Sequence, residues 1–309
     1  MLIAIDHGNY AIKTPNTTFV SGIVESTVAP PFSEDILQYN GNFYSLTEKR
    51  VIYRRDKTKD EQYYILTLFA IGKELEAAGR DNMLTKIDLA VGLPPQHFGL
   101  LKDSFAQYFK RHHSVNFKYN EKNYGIIIGE VMVFPQAYAA IISKREQVLA
   151  SPRVYVVDIG GYTTDILLLK KGKPDLQFCK SLDCGIIMMN NEIINQVNIL
   201  YDAKIDDEHI TEVLTRKPSV LDPEIQKLIT DYARKYTIEI LGKLKEMEID
   251  LHVTKTYFIG GGSILLRDYI SGIPEMKNAE FIEFPNANAI GYQLLGTAQL
   301  NSQRSGSAK

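Results

Sequence analysis

Short apolar runs that end in turn residues dominate the opening of the chain. The apolar residues 2–5 lead into a polar and glycine-containing turn at 6–9, and further runs at 10–13 and 17–20 follow on either side of Pro15. Short apolar runs bounded by Gly, Pro and Asn are typical of β-strands joined by tight turns. The first twenty residues are therefore predicted to form a set of short strands.

The same pattern returns near the midpoint of the chain. Apolar residues 154–157 lead into Asp158, and apolar segments at 163–169 and 176–179 follow, separated by a turn at 171–174. In both halves a strand ends on Asp-x-Gly and a second strand begins a few residues later. A unit that is repeated once in each half predicts two similar domains facing each other.

Between and after these repeats the periodicity changes. Apolar residues at helical spacing predict helices at about 61–78, 100–111, 186–200, 223–247 and 289–300. Strands are predicted at 87–91 and 256–259, and a hairpin is predicted around 120–123. The polar tail 301–309 is expected to fray, and residues 30–60 fit neither period, so they are interpreted as an insertion.

Composition narrows the class of protein. The 309 residues are 45% hydrophobic and 23% charged, which is typical of a globular protein of roughly two domains. With 35 Lys and Arg against 37 Asp and Glu, nothing favours direct binding to nucleic acid or to an anionic membrane. Two cysteines are too few for a disulfide scaffold or a Cys-based metal site, and no basic leader precedes Asp6, so a cytoplasmic protein is expected.

Three strand ends carry the residue types that bind nucleotide phosphates: residues 6–9, 158–165 and 260–263. Glycine lets the backbone approach a phosphate so that its N–H groups meet the oxygens, and an Asp at the end of a strand can hold Mg²⁺ through water. Taken alone, residues 6–9 indicate only a turn. Lys13 favours a functional interpretation because a hairpin would return its ammonium toward the phosphates, although a Lys in a strand is usually solvated.

The second of these segments is more specific. Asp158 and Asp165 bracket a glycine pair and two threonines directly after an apolar strand. A structural hairpin would rarely need both acids at that spacing. The third segment, Gly260, Gly261 and Gly262 after a strand, would make a floor for a nucleotide, but it does not match G-x-G-x-x-G and is weak alone.

Taken together, the motifs resemble those of the actin-like ATPase superfamily, which also includes the heat-shock chaperone ATPases and the sugar kinases. Residues 6–13 are similar to the first phosphate motif, 158–165 to the second, and 258–263 to the adenosine motif. Residues 133–140 and 286–296 resemble the two connecting motifs. These five motifs stand in the family order over nearly the whole chain.

Within the superfamily, the sequence is similar to the bacterial plasmid-segregation actins of the ParM/StbA type and to their archaeal relatives. Residues 91–94, before an amphipathic helix, and residues 288–292 support this likeness. The resemblance implies an α/β, actin-like (ribonuclease-H-like) fold of two domains with ATP in the interdomain cleft. Domain I would comprise residues 1–148 plus 286–309 and domain II residues 149–285, with insertions near 30–60 and 200–250 as smaller subdomains.

The resemblance also implies roles for individual residues. Asp6 and Asp158 would hold Mg²⁺ through water, and Lys13 would neutralise the phosphates. Gln136, which follows Pro135 at the expected start of a helix, would orient the attacking water with the aid of Asp165. The alternative is a Gln that only caps a helix or faces solvent. With Asp158, Gln136 and Asp165 form the expected catalytic set. Further nucleotide contacts are expected from the small residues of the three motifs: Gly8, Asn9, Gly160, Gly161, Thr163, Gly260, Gly261, Gly262 and Ser263.

The implied function is a filament-forming ATPase that segregates DNA through a DNA-binding adaptor protein, without itself touching nucleic acid or membrane. The expected cofactors are ATP and Mg²⁺, with GTP left open. Two alternatives remain at this point. A small-molecule kinase of the same fold is disfavoured because the chain shows no large insertion for a substrate pocket, whereas a cytoskeletal filament without DNA cargo is not distinguished by the sequence.

Overall fold

A computed structural model describes residues 1–31, 34–59 and 61–306 of the chain. Contacts divide the chain into two compact units, Met1–Ser143 with Asn286–Lys309 (unit 1) and Lys144–Pro285 (unit 2). Parts of two sequence predictions lie outside the described residues: positions 32, 33 and 60 of the predicted insertion, and positions 307–309 of the predicted tail. Among the helices of the described part, none combines the length and the apolar composition that crossing a bilayer requires.

Both units combine strands and helices. The strands of the described residues are β1 (Leu2–His7), β2 (Ala11–Lys13), β3 (Thr18–Val20), β4 (Ile23–Ser26), β5 (Ile36–Tyr39), β6 (Asn42–Leu46), β7 (Leu84–Leu93), β8 (Ser114–Tyr119), β9 (Lys122–Pro135), β10 (Arg153–Ile159), β11 (Thr164–Lys170), β12 (Lys173–Leu182), β13 (Lys255–Ile259) and β14 (Ala279–Phe281). The α-helices are α1 (Gln62–Ala77), α2 (Pro95–Lys110), α3 (Arg145–Ala150), α4 (Ile186–Tyr201), α5 (Asp207–Leu214), α6 (Pro223–Glu246), α7 (Gly260–Leu265), α8 (Arg267–Ser271) and α9 (Ala287–Gly306).

Unit 1 is built on a nine-stranded sheet in the order β3-β2-β1-β7-β9-β8-β5-β6-β4. β1 is antiparallel to β2 but parallel to β7, and β7 is parallel to β9, so the carboxyl ends of these three parallel strands share one edge. Both faces are covered: Ile3 and Ile5 of β1 belong to the core that also contains residues of α1 and α2, while Ala4 packs with Tyr292 of α9. Burial on both faces explains why these strands read as nearly continuous apolar runs.

Unit 2 repeats the local topology of unit 1. Its five-stranded sheet has the order β12-β11-β10-β13-β14, in which β10 is antiparallel to β11 and parallel to β13. The register repeats as well, because Asp6 lies opposite Lys13 in one hairpin and Asp158 lies opposite Asp165 in the other. The prediction of two similar α/β domains is thereby confirmed.

Three element predictions need correction. α2 begins at Pro95 rather than near residue 100, because proline at the first helical position has no N–H to satisfy and a φ suited to a helix. The tail is helical through Gly306 instead of frayed from residue 301. The described part of the 30–60 segment contributes β5 and β6 to the unit 1 sheet, and Leu37, Tyr39 and Tyr44 share the main core of that unit.

The start of a helix near Pro135 was also predicted wrongly. β9 continues through Pro135, residues 136–139 turn, and a 3₁₀-helix follows at Ala140–Lys144. Ala137 adopts a left-handed backbone with φ of 60°, and its N–H donates to Asn288 Oδ1 at 2.9 Å. A contact from a residue so distant in sequence fixes this turn, and no local pattern signals it.

Candidate functional site

The buried end of β1 is the centre of the site in unit 1. Asp6 is only 4% exposed. Lys13 lies directly opposite it on β2, and residues directly opposite each other project their side chains from the same face of a sheet. A carboxylate and an ammonium therefore occupy neighbouring positions on one face.

Gln136 joins this pair because the parallel strands end together. Leu93 of β7 is in register with Pro135 of β9, and the Gln136 N–H donates to the Leu93 carbonyl at 2.8 Å. The Gln136 side chain then donates from Nε2 to Asp6 Oδ1 at 2.9 Å. With Nε2 committed to Asp6, the amide oxygen Oε1 is the acceptor that Gln136 can offer to a water molecule.

The turn between β1 and β2 is held in a narrow conformation. A Cβ on Gly8 would lie 2.5 Å from the carbonyl oxygen of Ala11, so this position requires glycine. Asn9 is fixed through its side chain, whose Oδ1 accepts a hydrogen bond from Tyr63 Oη at 3.0 Å. Both residues predicted to meet phosphate from this turn are thus at least partly exposed and rigidly supported.

The sequence prediction missed a stripe of buried polar residues on α1 that supports this hairpin. Tyr63, Thr67 and Glu74 are each less than 10% exposed and lie on one side of the helix. Glu74 accepts hydrogen bonds from Thr14 Oγ1 and, at 2.9 Å, from Asn16 Nδ2. The available signal was a Thr and a Glu, seven residues apart and therefore on one side of a largely apolar helix.

His7, within the first predicted phosphate motif, points into the core. Its Nε2 lies 2.8 Å from Thr67 Oγ1, and the Thr67 hydroxyl donates to the Tyr63 carbonyl, so the imidazole must carry its proton on Nε2. The ring stacks on Phe109 with 5.0 Å between centroids. Complete burial, with a smaller effect of the Lys57 ammonium, lowers the pKa of His7 to about 3. The side chain is therefore neutral and structural.

In unit 2 the corresponding turn follows β10. The Gly160 N–H donates to the Thr163 carbonyl at 2.9 Å, which closes the turn. The carbonyls of Gly160 and Gly161 accept hydrogen bonds from the first amides of α4, Ile186 at 3.0 Å and Ile187 at 2.8 Å. The turn and the start of α4 consequently form one connected backbone structure.

The carboxylates of unit 2 lie beside the glycine-rich segment. Asp158 and Asp165 are 8% and 6% exposed and face each other across the hairpin. Thr163 Oγ1 donates to Asp165 Oδ2 at 3.2 Å. Gly260 has a left-handed φ of 85°, and a Cβ there would lie 2.3 Å from Asp158 Oδ1. Only glycine can bring this strand end so close to the carboxylate.

The glycine-rich segment begins a helix, and its last two residues are buried. Gly260, Gly261 and Gly262 form the start of the short helix α7. Gly262 is buried against Ile159 and Ile186, so a Cβ there would collide with them. Ser263 is fully buried and its hydroxyl donates to the Ile259 carbonyl at 2.5 Å.

Each unit has an acidic residue suited to holding a magnesium ion through water. Asp6 in unit 1 and Asp158 in unit 2 are buried carboxylates at strand ends, and Mg²⁺ is commonly bound through one or two carboxylates together with phosphates. Within the described residues, no three or more His, Cys, Asp or Glu side chains form a direct metal-binding cluster. Mg²⁺ keeps several of its waters and takes further ligands from phosphate, so it does not need such a cluster.

The predicted site residues thus fall into two groups. In unit 1, Asp6, Lys13 and Gln136 lie together beside the turn that contains Gly8 and Asn9. In unit 2, Asp158, Asp165 and Gly260 lie together at the end of β10. The turn residues Gly160, Gly161 and Thr163 lie next to them.

Family profiles match both units. Residues 4–138 match the profile of the N-terminal domain of actin-like proteins. Residues 156–272 match the profile of the C-terminal domain of the archaeal, MreB-like actin homologues. A comparison with curated protein sequences gave no significant match.

Solved structures of similar fold span the whole chain. The subunit of a 15-stranded ParM filament from Clostridium botulinum superposes with a TM-score of 0.77 at 22% identity, covering 96% of this chain and 99% of that one. The actin-like protein Alp7A has a TM-score of 0.78 at 14% identity, with coverages of 100% and 99%. The archaeal actin homologue Ta0583 in complex with ADP has a TM-score of 0.73 at 16% identity, with coverages of 96% and 99%. With actin-like profiles on both units and an actin-like fold throughout, the chain belongs to the actin-like superfamily.

Proposed function

We propose that this protein is a nucleotide-dependent, filament-forming ATPase. The observation that carries the proposal is the convergence of Asp6, Lys13 and Gln136 at the end of β1, since a carboxylate, an ammonium and an amide are the groups that phosphoryl transfer to water requires. The second group, around Asp158, adds two buried carboxylates and closely packed glycines from unit 2.

Each group has a distinct part in this proposal. Asp6 and Asp158 hold the waters of Mg²⁺, which when bound neutralises charge on the phosphate oxygens. Lys13 adds a positive charge on the face that carries Asp6. Gln136, fixed by its bond to Asp6, accepts a hydrogen bond from the attacking water at Oε1 and so orients it, with Asp165 assisting.

The nucleotide contacts are proposed to come from backbone amides and small side chains. Gly8, Asn9 and Gly161 present N–H groups to the phosphates, with Thr163 beside Gly161, whereas Gly160 shapes this turn because its N–H already donates to the Thr163 carbonyl. Gly260 and Gly261, at the start of α7, lie against the adenosine. The buried positions of Gly262 and Ser263 suit a supporting role beneath this surface. The archaeal actin homologue Ta0583, solved with ADP, supports a nucleotide ligand for the same fold.

Self-assembly is proposed because relatives of the same fold form filaments. One neighbour is described as a ParM filament, and it spans almost the full length of this chain. We further propose that the filament works in the cytoplasm and moves DNA through a DNA-binding adaptor. The balanced overall charge of the chain gives no electrostatic reason for it to bind nucleic acid directly.

Electron microscopy and light scattering of the purified protein test this function. Scattering should rise on addition of Mg·ATP and fall later as phosphate is released, and filaments should be visible at the plateau. The same measurements with GTP establish the nucleotide preference. A protein that stays monomeric with every nucleotide at high concentration, yet phosphorylates a small molecule, would instead be a kinase of this fold.

The cargo requires a separate experiment. A small DNA-binding protein encoded next to this gene should link filaments to its DNA site in a co-sedimentation assay. Filaments alone should leave the same DNA in the supernatant. Sedimentation of DNA without any adaptor would contradict the proposed indirect coupling.

A further inference from the structure

Most carbonyl groups of the β1–β2 turn are held by residues outside the predicted phosphate motif. The Lys57 ammonium donates to the His7 carbonyl. Ser21 Oγ donates to the Gly8 carbonyl at 2.6 Å, and the Ser21 N–H donates to the Tyr10 carbonyl at 3.2 Å. Three of the four carbonyls from position 7 to position 10 therefore have a donor from another segment.

A donor that holds a carbonyl also fixes the amide that follows it. In a planar trans peptide the C=O and N–H bonds point in opposite directions. Lys57, bound to the His7 carbonyl, therefore turns the Gly8 N–H away from itself, and Ser21 does the same for the Asn9 N–H. Successive N–H groups that are turned outward in this way make a concave site for an anion.

The turn of unit 2 provides an internal comparison. There the carbonyls of Gly160 and Gly161 are held by the amides of Ile186 and Ile187, which open α4. The Gly8 carbonyl holds the position that corresponds to Gly160 in the repeated register. At this shared position unit 2 uses an amide at the start of a helix and unit 1 uses the Ser21 hydroxyl. The His7 carbonyl, which Lys57 holds, corresponds to Ile159.

Lys57 differs from the helix amides because it carries a full charge. The ammonium polarises the His7–Gly8 peptide, which makes the Gly8 N–H a stronger donor to a negatively charged oxygen. Lys57 also lies 4.9 Å from the centre of the Tyr63 ring, whose hydroxyl holds Asn9. One ammonium therefore supports both ends of the two-residue segment that is proposed to meet phosphate.

We propose that Lys57, together with Ser21, is a positioning residue of the nucleotide site that orients the Gly8 and Asn9 amides toward the phosphates. This inference rests on the proposed nucleotide-binding function. It assigns a role to Lys57, a residue outside the predicted phosphate motifs. Lys57 acts through the peptide group, in contrast to Lys13, which carries its charge on the face of Asp6.

Calorimetric titration with Mg·ADP and with adenosine tests the role of Lys57. Lys57→Met keeps the apolar stem but removes the charge and the donor, so ADP should bind about tenfold more weakly, as expected for loss of a hydrogen bond to a charged group. Adenosine, which has no phosphate, should bind as it does to the wild type. Lys57→Arg should restore most of the ADP affinity, and Lys57→Gln, a neutral donor, should give an intermediate value.

Lys59→Met is the matched control, because Lys59 stands two residues away, is 70% exposed on its side chain and pairs with Asp56 at 3.6 Å. It should bind ADP like the wild type. Equal ADP affinities of the Lys57→Met and Lys59→Met proteins would overturn the proposal while leaving the nucleotide-binding function intact. A wild-type protein that binds neither ADP nor ATP would instead remove the proposed function and this inference with it.

Ser21→Ala gives a second measurement that does not depend on Lys57. The variant removes only the hydroxyl that holds the Gly8 carbonyl, so ADP affinity should fall while adenosine affinity does not change. Thermal unfolding of each variant checks that the protein is folded. Should Lys57→Met fail to fold, Ser21→Ala and Lys57→Gln decide the matter, and unchanged ADP affinity in both would contradict the proposal.

Discussion

The contact between Gln136 and Asp6 joins residues from distant parts of the chain and gives a specific prediction for hydrolysis. Gln136→Ala removes the amide oxygen proposed to orient water but leaves Asp6, Lys13 and the turn in place. Phosphate release should slow by on the order of 100-fold, the usual range for loss of one positioned proton-transfer group. ATP should still bind, and filaments should form and then persist, because their disassembly depends on hydrolysis.

Phosphate release and filament lifetime are measured together for this variant. Gln196→Ala, at a partly exposed position of α4 where the side-chain amide donates to Glu192, is the matched control and should behave like the wild type. Wild-type values for both quantities in Gln136→Ala would mean that Gln136 is structural. Asp165 would then be the next candidate for orienting the water.

A second prediction concerns the metal. Asp158→Asn keeps the shape of a buried side chain that lies against Gly260 but removes its negative charge. Mg²⁺-dependent ADP affinity should fall at least about tenfold, the range observed when a group that holds a metal indirectly is lost. Titrations with ADP in magnesium and in EDTA measure the effect, and Asp231→Asn, exposed on α6, serves as control. Equal magnesium dependence in both variants would exclude Asp158 from the metal site.

The buried His7 predicts a pH dependence of stability. Its pKa of about 3 in the folded protein is below the ordinary value of 6.5, so below pH 6.5 the unfolded chain gains a proton that the folded chain does not. The free energy of unfolding should therefore fall as the pH falls from 6.5 toward 3, by about 1.4 kcal/mol per pH unit from this group. Above pH 6.5 His7 contributes no pH dependence.

Urea unfolding of the wild type and of His7→Gln, at several pH values, measures this contribution. Gln can donate to Thr67 in the same way but does not titrate, so the acid-dependent loss of stability should be smaller in the variant. Parallel pH profiles for the two proteins would show that His7 is not the responsible group.

Single residues of the site were predictable where the chemistry is encoded locally. Asp6, Lys13, Asp158 and Asp165 stand at strand ends next to turn glycines, and the hairpin register then follows from the apolar pattern. The supporting side chains were not predictable in this way. Glu74 meets its partners Thr14 and Asn16 only through packing of α1 on the sheet, and its spacing in the sequence does not identify them.

Helices and strands themselves were largely predictable, and the exceptions have a common cause. α1 ends before Gly79, which has a left-handed φ of 61°, as its sequence indicates. The turn after β9, in contrast, depends on α9, because the Ala137 amide is bound by Asn288. Contacts between distant segments override local preference where the backbone has no pattern of its own.

Replacing a glycine by alanine in two different helices should change the free energy of unfolding in opposite directions. Gly291 of α9 packs so closely that a Cβ would lie 2.0 Å from the Ala139 carbonyl oxygen, whereas Gly242 of α6 is exposed with nothing within 4 Å of a Cβ. Gly291→Ala should lower the free energy of unfolding by about 1–3 kcal/mol, since the backbone must move apart. Gly242→Ala should raise it by up to about 1 kcal/mol through helix propensity. Urea unfolding measures both, and a neutral Gly291→Ala would contradict the close packing.

At the scale of the whole chain, one unit is built from a single continuous segment and the other from two separate segments. Unit 2 is one uninterrupted segment, 144–285, whereas unit 1 needs α9 from residues beyond it. A protein of residues 144–285 should fold alone with a cooperative thermal transition, because its core comes entirely from its own segment. Residues 1–143 alone should not, because the loss of the fully buried Tyr292 exposes Ala4 and Ala90.

Circular dichroism and thermal unfolding of the two fragments test this difference. Addition of a peptide of residues 286–306 should increase the structure of the 1–143 fragment. A cooperative transition for residues 1–143 without the peptide would show that α9 is not needed.

The late position of α9 has a consequence for the making of the protein. A ribosome produces β1 through β9, then every residue of unit 2, and only afterwards Asn286 and the helix that follows it. Asn286 Nδ2 donates to the Pro15 carbonyl at 2.8 Å, so the first hairpin also lacks a support until that moment. A nascent chain therefore carries an unfinished unit 1 throughout the translation of unit 2. A chain released before residue 286 leaves the surface that α9 would cover accessible to chaperones and proteases.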